Sequence, residues 1–412
     1  MGSSLEPRPL TFPTNQWTLD PTLTFLNHGS YGSVPRSVQE AQAEVRARME
    51  RDPVRFFKVD LERMLDEVRE RIGGLVHCRA SDIAPMPNAT VALCTVLNNT
   101  KLGPGDEVLI TDHEYMSIVN ELERVCAATG ARVVKAKVPF PIESPEQVTE
   151  AVLGAATPRT KIAFIAHITS ATSLIFPVTA IVRGLMARGI EVCVDGAHTP
   201  GQIEVDVQGL APTYYVGSFH KWLSCPKGSG FLYVRSDKQA GFRPHALSSR
   251  AHKVRPERAL FLRDFDYVGT NDYSAMLCVP QAIDALRGML PGGLTALYRS
   301  NHDLALKARE IVCRALGVSA PAPDAMIGSM VTIPLPEPAA EMMSRGTEYD
   351  DPLQDELIRR HRIVAPIWRL SADNRRVIRV SAHQYNTTEQ FETLAQALLE
   401  ELAREHPKRV SA

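Results

Sequence analysis

The chain has 412 residues, 44% of them hydrophobic and 23% charged, with a formal net charge of −1. That is globular composition, long enough for two domains, and near-neutral charge without a basic run excludes an electrostatic case for nucleic-acid or anionic-membrane binding. No stretch reaches the ~18 apolar residues of a membrane span, and the seven scattered cysteines form neither a CxxC pair nor a disulfide framework, so free thiols and no zinc site are expected.

In chain order, "MGSSLEPRPLTFPTNQW" has no apolar core for a signal peptide, and Glu6 stands where a myristoylation signal needs Ser or Thr. A cytoplasmic protein is expected. Helices are predicted over "VPRSVQEAQAEVRARME" and, after a break at Asp52-Pro53, over "VDLERMLDEVRERIGGLV". Short apolar runs follow: "DEVLIT" (106–111), "ARVVKAKV" (131–138), "TKIAFIAH" (160–167), "IEVCVDG" (190–196), "TYYVGS" (213–218) and "GFLYV" (230–234). Helix-like stretches separate the first four. Such alternation predicts an α/β fold with a mostly parallel sheet covered by helices on both faces, where ligands gather at the carboxyl ends of the strands. Beyond "SAMLCVPQAIDALRGMLPGG" the pattern changes to a long helix, "TALYRSNHDLALKAREIVCRALG", then "SMVTIPL", "RIVAPIW", "RVIRVSAH" and a terminal helix. This predicts a smaller α+β C-terminal domain over 291–412, after a large domain over 36–290 and an N-terminal segment over 1–35. The charged stretch "AAEMMSRGTEYDDPLQDELIRRH" is read as a solvated loop and helix without chemistry.

Four strand-end features carry chemistry together that none carries alone. Asp195, in "VDGAHTPG", follows buried apolar residues, where an unpaired carboxylate is costly. Lys221, in "SFHKW", stands after the neighbouring apolar run, and His113, in "LITDHEY", after another. "MPNATVALC" puts Asn88, Ala89 and Thr90 at a helix start, whose free N–H groups suit a phosphate. An amine, an acid, a flat ring and a phosphate cradle are the parts that pyridoxal phosphate requires. A desolvated lysine suits the amine role because it loses its proton more readily.

With these motifs the sequence resembles the fold-type I pyridoxal-phosphate enzymes of the class V aminotransferase group, and within it the isopenicillin N epimerase-like proteins. The likeness runs from "FLNHGSYGSVPRSV" through "TDHEY", "VDGAHTPG" and "GSFHKWLSCPKGSGFLYV" to "VGTND" and "IRVSAHQYNT". It implies an aspartate-aminotransferase-like fold and position-by-position roles. Lys221 forms the Schiff base and then serves as the base at Cα, Asp195 pairs with the pyridinium nitrogen, and His113 stacks on the ring. Asn88, Ala89 and Thr90, with Ser218 and His220, hold the phosphate, and Thr270 reaches the phosphate of a second subunit, which implies a homodimer. His198 and Ser170 bond the ring hydroxyl. Arg379 clamps the substrate carboxylate, with Asn27 in a segment that folds over the active site and Tyr31 beside the substrate. Ser173 stands where glycine is common, which gives the loop near the ring hydroxyl its own shape.

Three reactions stay open. β-Elimination of a cysteine S-conjugate, as in C–S lyases of specialised metabolism and antibiotic biosynthesis, needs only Lys221 and a thiol or sulfenate leaving group. Epimerisation needs a second acid, for which Tyr31, Tyr115 or a water are available. Decarboxylation-coupled deamination needs Arg379 to hold the carboxylate differently. Ordinary transamination is less expected, and so is a non-catalytic interaction protein. A persulfide-forming desulfurase is disfavoured, because no cysteine follows Cys313.

Overall fold

The computed structural model describes residues 16–252, 255–339 and 346–405. The N-terminal stretch read above for targeting signals lies mostly outside these residues, as does 340–345 of the charged stretch. Twelve strands occur among them. β1 (Thr24–Phe25) comes first, then β2 (Ile83–Met86), β3 (Glu107–Thr111), β4 (Arg132–Ala136) and β5 (Thr160–Ala166). β6 (Glu191–Gly196), β7 (Tyr214–Ser218) and β8 (Gly230–Val234) follow, then β9 (Met330–Pro334), β10 (Ile363–Val364), β11 (Ile367–Arg369) and β12 (Arg376–Ser381).

Seven strands form the large sheet in the order β2-β8-β7-β6-β5-β3-β4. β4, β3, β5, β6 and β7 run parallel, while β8 is antiparallel to both β7 and β2. The carboxyl ends of β2, β3, β5, β6 and β7 therefore share one edge. Alternate residues of β5 divide between two cores: Ile162 and Phe164 join one apolar cluster, Ala163 and Ile165 the other. A strand buried on both faces reads as a continuous apolar run, which is why these strands were legible in the sequence. β2 was not, because it is four residues long and carries Pro85. Its outer-edge position leaves that proline's missing donor unneeded.

A three-stranded antiparallel sheet, β11-β12-β9, forms the smaller part, packed against the helices Gly293–Leu316 and Thr388–Glu405. β1 pairs in parallel with β10, and the Ser381 amide donates to the Leu26 carbonyl (2.8 Å), so the residues after Thr24 lie along this smaller sheet. They then cross the turn that carries Lys221. Gly32 (φ +66°) makes that crossing possible: a Cβ there would stand 2.1 Å from the His220 carbonyl oxygen and 2.7 Å from that of Lys221. Only glycine tolerates both the backbone angle and the approach.

Candidate active site

The shared strand edge opens on a cavity of about 270 Å³. β2 leads to Asn88 and the helix Ala89–Asn99, whose first turn faces the cavity. The Asn88 side chain caps that helix by accepting from the Val91 amide (2.9 Å), and the Ala89 amide donates to Ser218 Oγ at the end of β7 (3.2 Å). Thr90 and His220 line the same end, and His220 leaves its buried Nδ1 without a protein partner. Hydroxyls, a helix start and an open ring nitrogen make an anion cradle.

Asp195 ends β6 with its Oδ1 accepting from the Ala197 amide (2.9 Å). Burial pushes its carboxyl above the usual range, and Lys221 opposes that. Lys221 lies on the turn after β7. Burial, against the opposing pull of Asp195, takes its amine down to about 8. Its Nζ stands 3.0 Å from Nε2 of His198, whose Nδ1 accepts from the Trp222 indole (3.3 Å).

Opposite, Arg379 of β12 is 3% exposed and has no carboxylate partner among the described residues. Its Nη1 donates to the Ser170 carbonyl (3.0 Å) and Oγ (3.2 Å), and its Nη2 to Ser30 Oγ (2.7 Å) and Asn27 Oδ1 (3.4 Å). Nε is buried and unpartnered, and burial draws the guanidinium down to about 10. A desolvated cation held by neutral acceptors alone is a site for an anion.

The aminotransferase class-V pattern matches residues 32–394. The chain belongs to the class-V aminotransferase family. Within it, 399 residues are 36% identical to the isopenicillin N epimerase of Amycolatopsis lactamdurans, covering 93% of this chain and 96% of that protein. The L-cysteine desulfhydrase of Arabidopsis thaliana is 29% identical over 406 residues, 91% of this chain and 87% of its own. The solved cysteine desulfurase CsdA of Escherichia coli has the same fold, with a TM-score of 0.76 over 94% of this chain and 97% of its own at 19% identity.

This class-V cavity gathers Asn88, Ala89, Thr90, Ser170, Asp195, His198, Ser218, His220, Lys221, Tyr31 and Arg379 on its walls. Asn27 reaches it through Arg379. His113, expected to stack on the cofactor ring, does not line this cavity. Its Nε2 donates to the Val138 carbonyl (3.0 Å) and its Nδ1 accepts from Thr172 Oγ1 (2.8 Å), which turns the ring into a neighbouring hollow bordered by Phe140 and Asp373. Tyr115, two residues on, lines this cavity instead, with its ring centre 6.0 Å from Lys221 Nζ. The sequence signal was an aromatic residue directly before the helix Met116–Thr129, at the same strand end. Thr270 is exposed, its hydroxyl bonded to that of Tyr267 (2.7 Å), and it does not line the cavity of its own chain. Ser173 adopts φ +61°, the left-handed angle that a glycine would take freely, and its Oγ is 2.8 Å from Thr332 Oγ1. Trp222 and Ser30 were not singled out in the sequence; both act through hydrogen bonds to residues that were.

Proposed function

We propose that the protein is a pyridoxal 5'-phosphate enzyme that breaks the Cβ–S bond of a cysteine-derived amino acid by β-elimination. One observation carries this reading: an amine drawn toward its free-base form and an unpaired buried guanidinium converge on a single cavity. That pair recognises an α-amino acid. The cofactor fits the donor set, with Lys221 for its aldehyde carbon and Asp195 for its ring nitrogen. Asn88, Ala89, Thr90, Ser218 and His220 suit its phosphate, His198 and Ser170 its ring oxygen, and Tyr115 its face. Bound there, it supplies an electron-withdrawing ring conjugated to the substrate nitrogen.

The chain's own residues do the rest. Arg379 binds the α-carboxylate through parallel N–H donors, a fork that lysine does not present. With the carboxylate fixed, the Cα–H bond is directed toward Lys221, whose amine takes the proton. The electron pair left at Cα becomes the second bond of Cα=Cβ while the Cβ–S pair departs with the thiolate, which takes up a proton to leave as the thiol. Water then releases ammonia and pyruvate from the resulting enamine. Elimination asks for one base, and Lys221 is the only lysine on the cavity wall among the described residues.

Epimerisation is the second reading, favoured by the 36% identical relative and by Tyr115, whose hydroxyl could protonate the face away from Lys221. We assign either reaction to specialised amino-acid metabolism, a reading supported by the likeness to an isopenicillin N epimerase. The reading keeps the 36–290 and 291–412 division and a homodimer in which Thr270 serves the partner's phosphate. A fully active monomer would sink that role of Thr270.

The test is incubation with L-cysteine, S-alkyl cysteines and isopenicillin N. Stoichiometric pyruvate, ammonia and thiol are expected. Solvent deuterium at Cα with inversion and no pyruvate would replace elimination with epimerisation. Lys221→Ala is expected to lower turnover by about three orders of magnitude or more, the scale of a lost general base. Wild-type turnover in that variant would overturn the mechanism.

A further inference from the structure

Beneath Lys221 lies a buried set of rings that the elimination chemistry does not itself call on. His28 donates from Nε2 to the Lys221 carbonyl (3.0 Å) and accepts at Nδ1 from the Tyr385 hydroxyl (2.6 Å). Its ring stacks on His383 at 4.1 Å between centres, and Trp222 lies 5.1 Å from it. Trp222 is wholly buried, so its indole N–H has a narrow choice of acceptors. It points at Nδ1 of His198.

That contact decides where the His198 proton resides. Burial keeps this imidazole neutral, and the nearby Lys221, Arg379 and His220 act in the same direction. A neutral ring has one N–H. With Nδ1 accepting from the indole, the proton is on Nε2, which faces Lys221 Nζ at 3.0 Å. An Nε2–H can meet Nζ only as a donor to a nitrogen lone pair. An ammonium there would set donor against donor.

We infer that Trp222 is a positioning residue that fixes His198 as the Nε2–H tautomer, so that His198 donates to the reactive Lys221 side of the cavity and favours the unprotonated lysine nitrogen. The groups facing Lys221 from the other packed elements are Asp195 on β6, Arg379 on β12 and Tyr115 at its helix start. Asp195 favours the ammonium and Arg379 opposes it. Trp222 adds a directional preference to that balance without carrying charge. His28 and His383 hold the indole plane on its other side, which keeps the N–H aimed.

The inference rests on the cofactor reading above for one of its two readouts and is independent of it for the other. The first readout is ¹⁵N NMR of histidine-labelled full-length protein, with the His198 signals identified by their loss in His198→Gln. A protonated Nε2 and a bare Nδ1 are expected, and the opposite tautomer overturns the inference without any change at Trp222. The second is a pH titration of the visible absorbance of the cofactor-loaded enzyme. Without the indole, His198 can take the Nδ1–H form and withdraw its Nε2–H from the lysine nitrogen and the ring oxygen beside it; losing that donor raises the proton affinity there, so Trp222→Phe is expected to move the midpoint upward by about half a unit or more. In a His198→Leu background the same substitution is expected to move it no further, because no hydrogen-bonding group is left for the indole to orient. Equal shifts in both backgrounds would make Trp222 a packing residue only and overturn its role. A protein with the expected ¹⁵N pattern and no visible band would remove the cofactor reading and leave the tautomer assignment standing.

Discussion

Two arginines three residues apart on β12 serve opposite purposes. Arg376 is 0% exposed and is held between two carboxylates, with Nε on Asp351 Oδ2 (2.9 Å) and Nη1 on Glu405 Oε2 (2.7 Å). Those carboxylates raise its proton affinity. Arg379, almost as deeply buried, has serine, asparagine and a carbonyl for company, and burial lowers its affinity. An odd spacing on a strand sends the two side chains to opposite faces. One face ties β12 to the terminal helix, and the other presents a charge whose counter-ion must come from outside. A buried charge whose partner is in the chain ties elements together; Arg379, whose partner is not, is the one we propose meets substrate.

The largest expected effect breaks the structural side. Arg376→Met leaves Asp351 and Glu405 buried and unpaired and should cost about 3–5 kcal/mol in denaturant unfolding. Activity per folded molecule should survive, and a variant as stable as wild type would show the network to be idle. Next is the functional side. Arg379→Lys should lower kcat/KM by about 2–3 kcal/mol, tens- to over a hundred-fold, while thermal stability holds or rises. A fall in stability matching that of Arg376→Met would erase the distinction.

The last effect, the smallest per pH unit, concerns a buried acid with the same mismatch. Glu114 accepts at Oε1 from Thr111 Oγ1 (3.0 Å) and the Ala166 amide (3.1 Å), while Oε2 has no partner. Burial, with Asp195 nearby, pushes it up to about 8 from an ordinary 4.5. The folded protein thus keeps a proton that the unfolded chain has released. Its stabilisation is complete below pH 4.5 and is lost as pH rises through 8, at no more than about 1.4 kcal/mol per pH unit. Glu114→Gln should make the slope of unfolding free energy between pH 5 and 8 shallower. An unchanged slope would show the carboxyl to be ionised in the folded state.

The contrast between these residues also marks what was legible in the sequence. Strands buried on both faces announce themselves, and Asp195 and Lys221 follow directly from where β6 and β7 stop. His113 and Tyr115 could not be told apart that way. Both follow β3, and the choice rests on Val138 and Thr172, 25 and 59 residues away, which turn the histidine aside. The pairing of Trp222 with His198 depends on a turn at Gly201, whose backbone (φ +88°) packs against the Trp222 carbonyl. No local period encodes that approach. Arg376 and Arg379 read alike in "RVIRVS", since their difference lies in Asp351 and Glu405.

The guanidinium of Arg379 is braced by Ser30 and Asn27, which are 349 and 352 residues away along the chain. The residues from Asn88 to Lys221 that we propose for the cofactor all precede β12 in the sequence. A truncation before β12 therefore removes Arg379 while keeping every one of them. Closing so long a loop carries an entropic cost that grows only slowly with its length. The two halves of the cavity thus depend on different reaches of chain: the cradle on one sheet edge, the guanidinium and its braces on segments from opposite ends of the sequence.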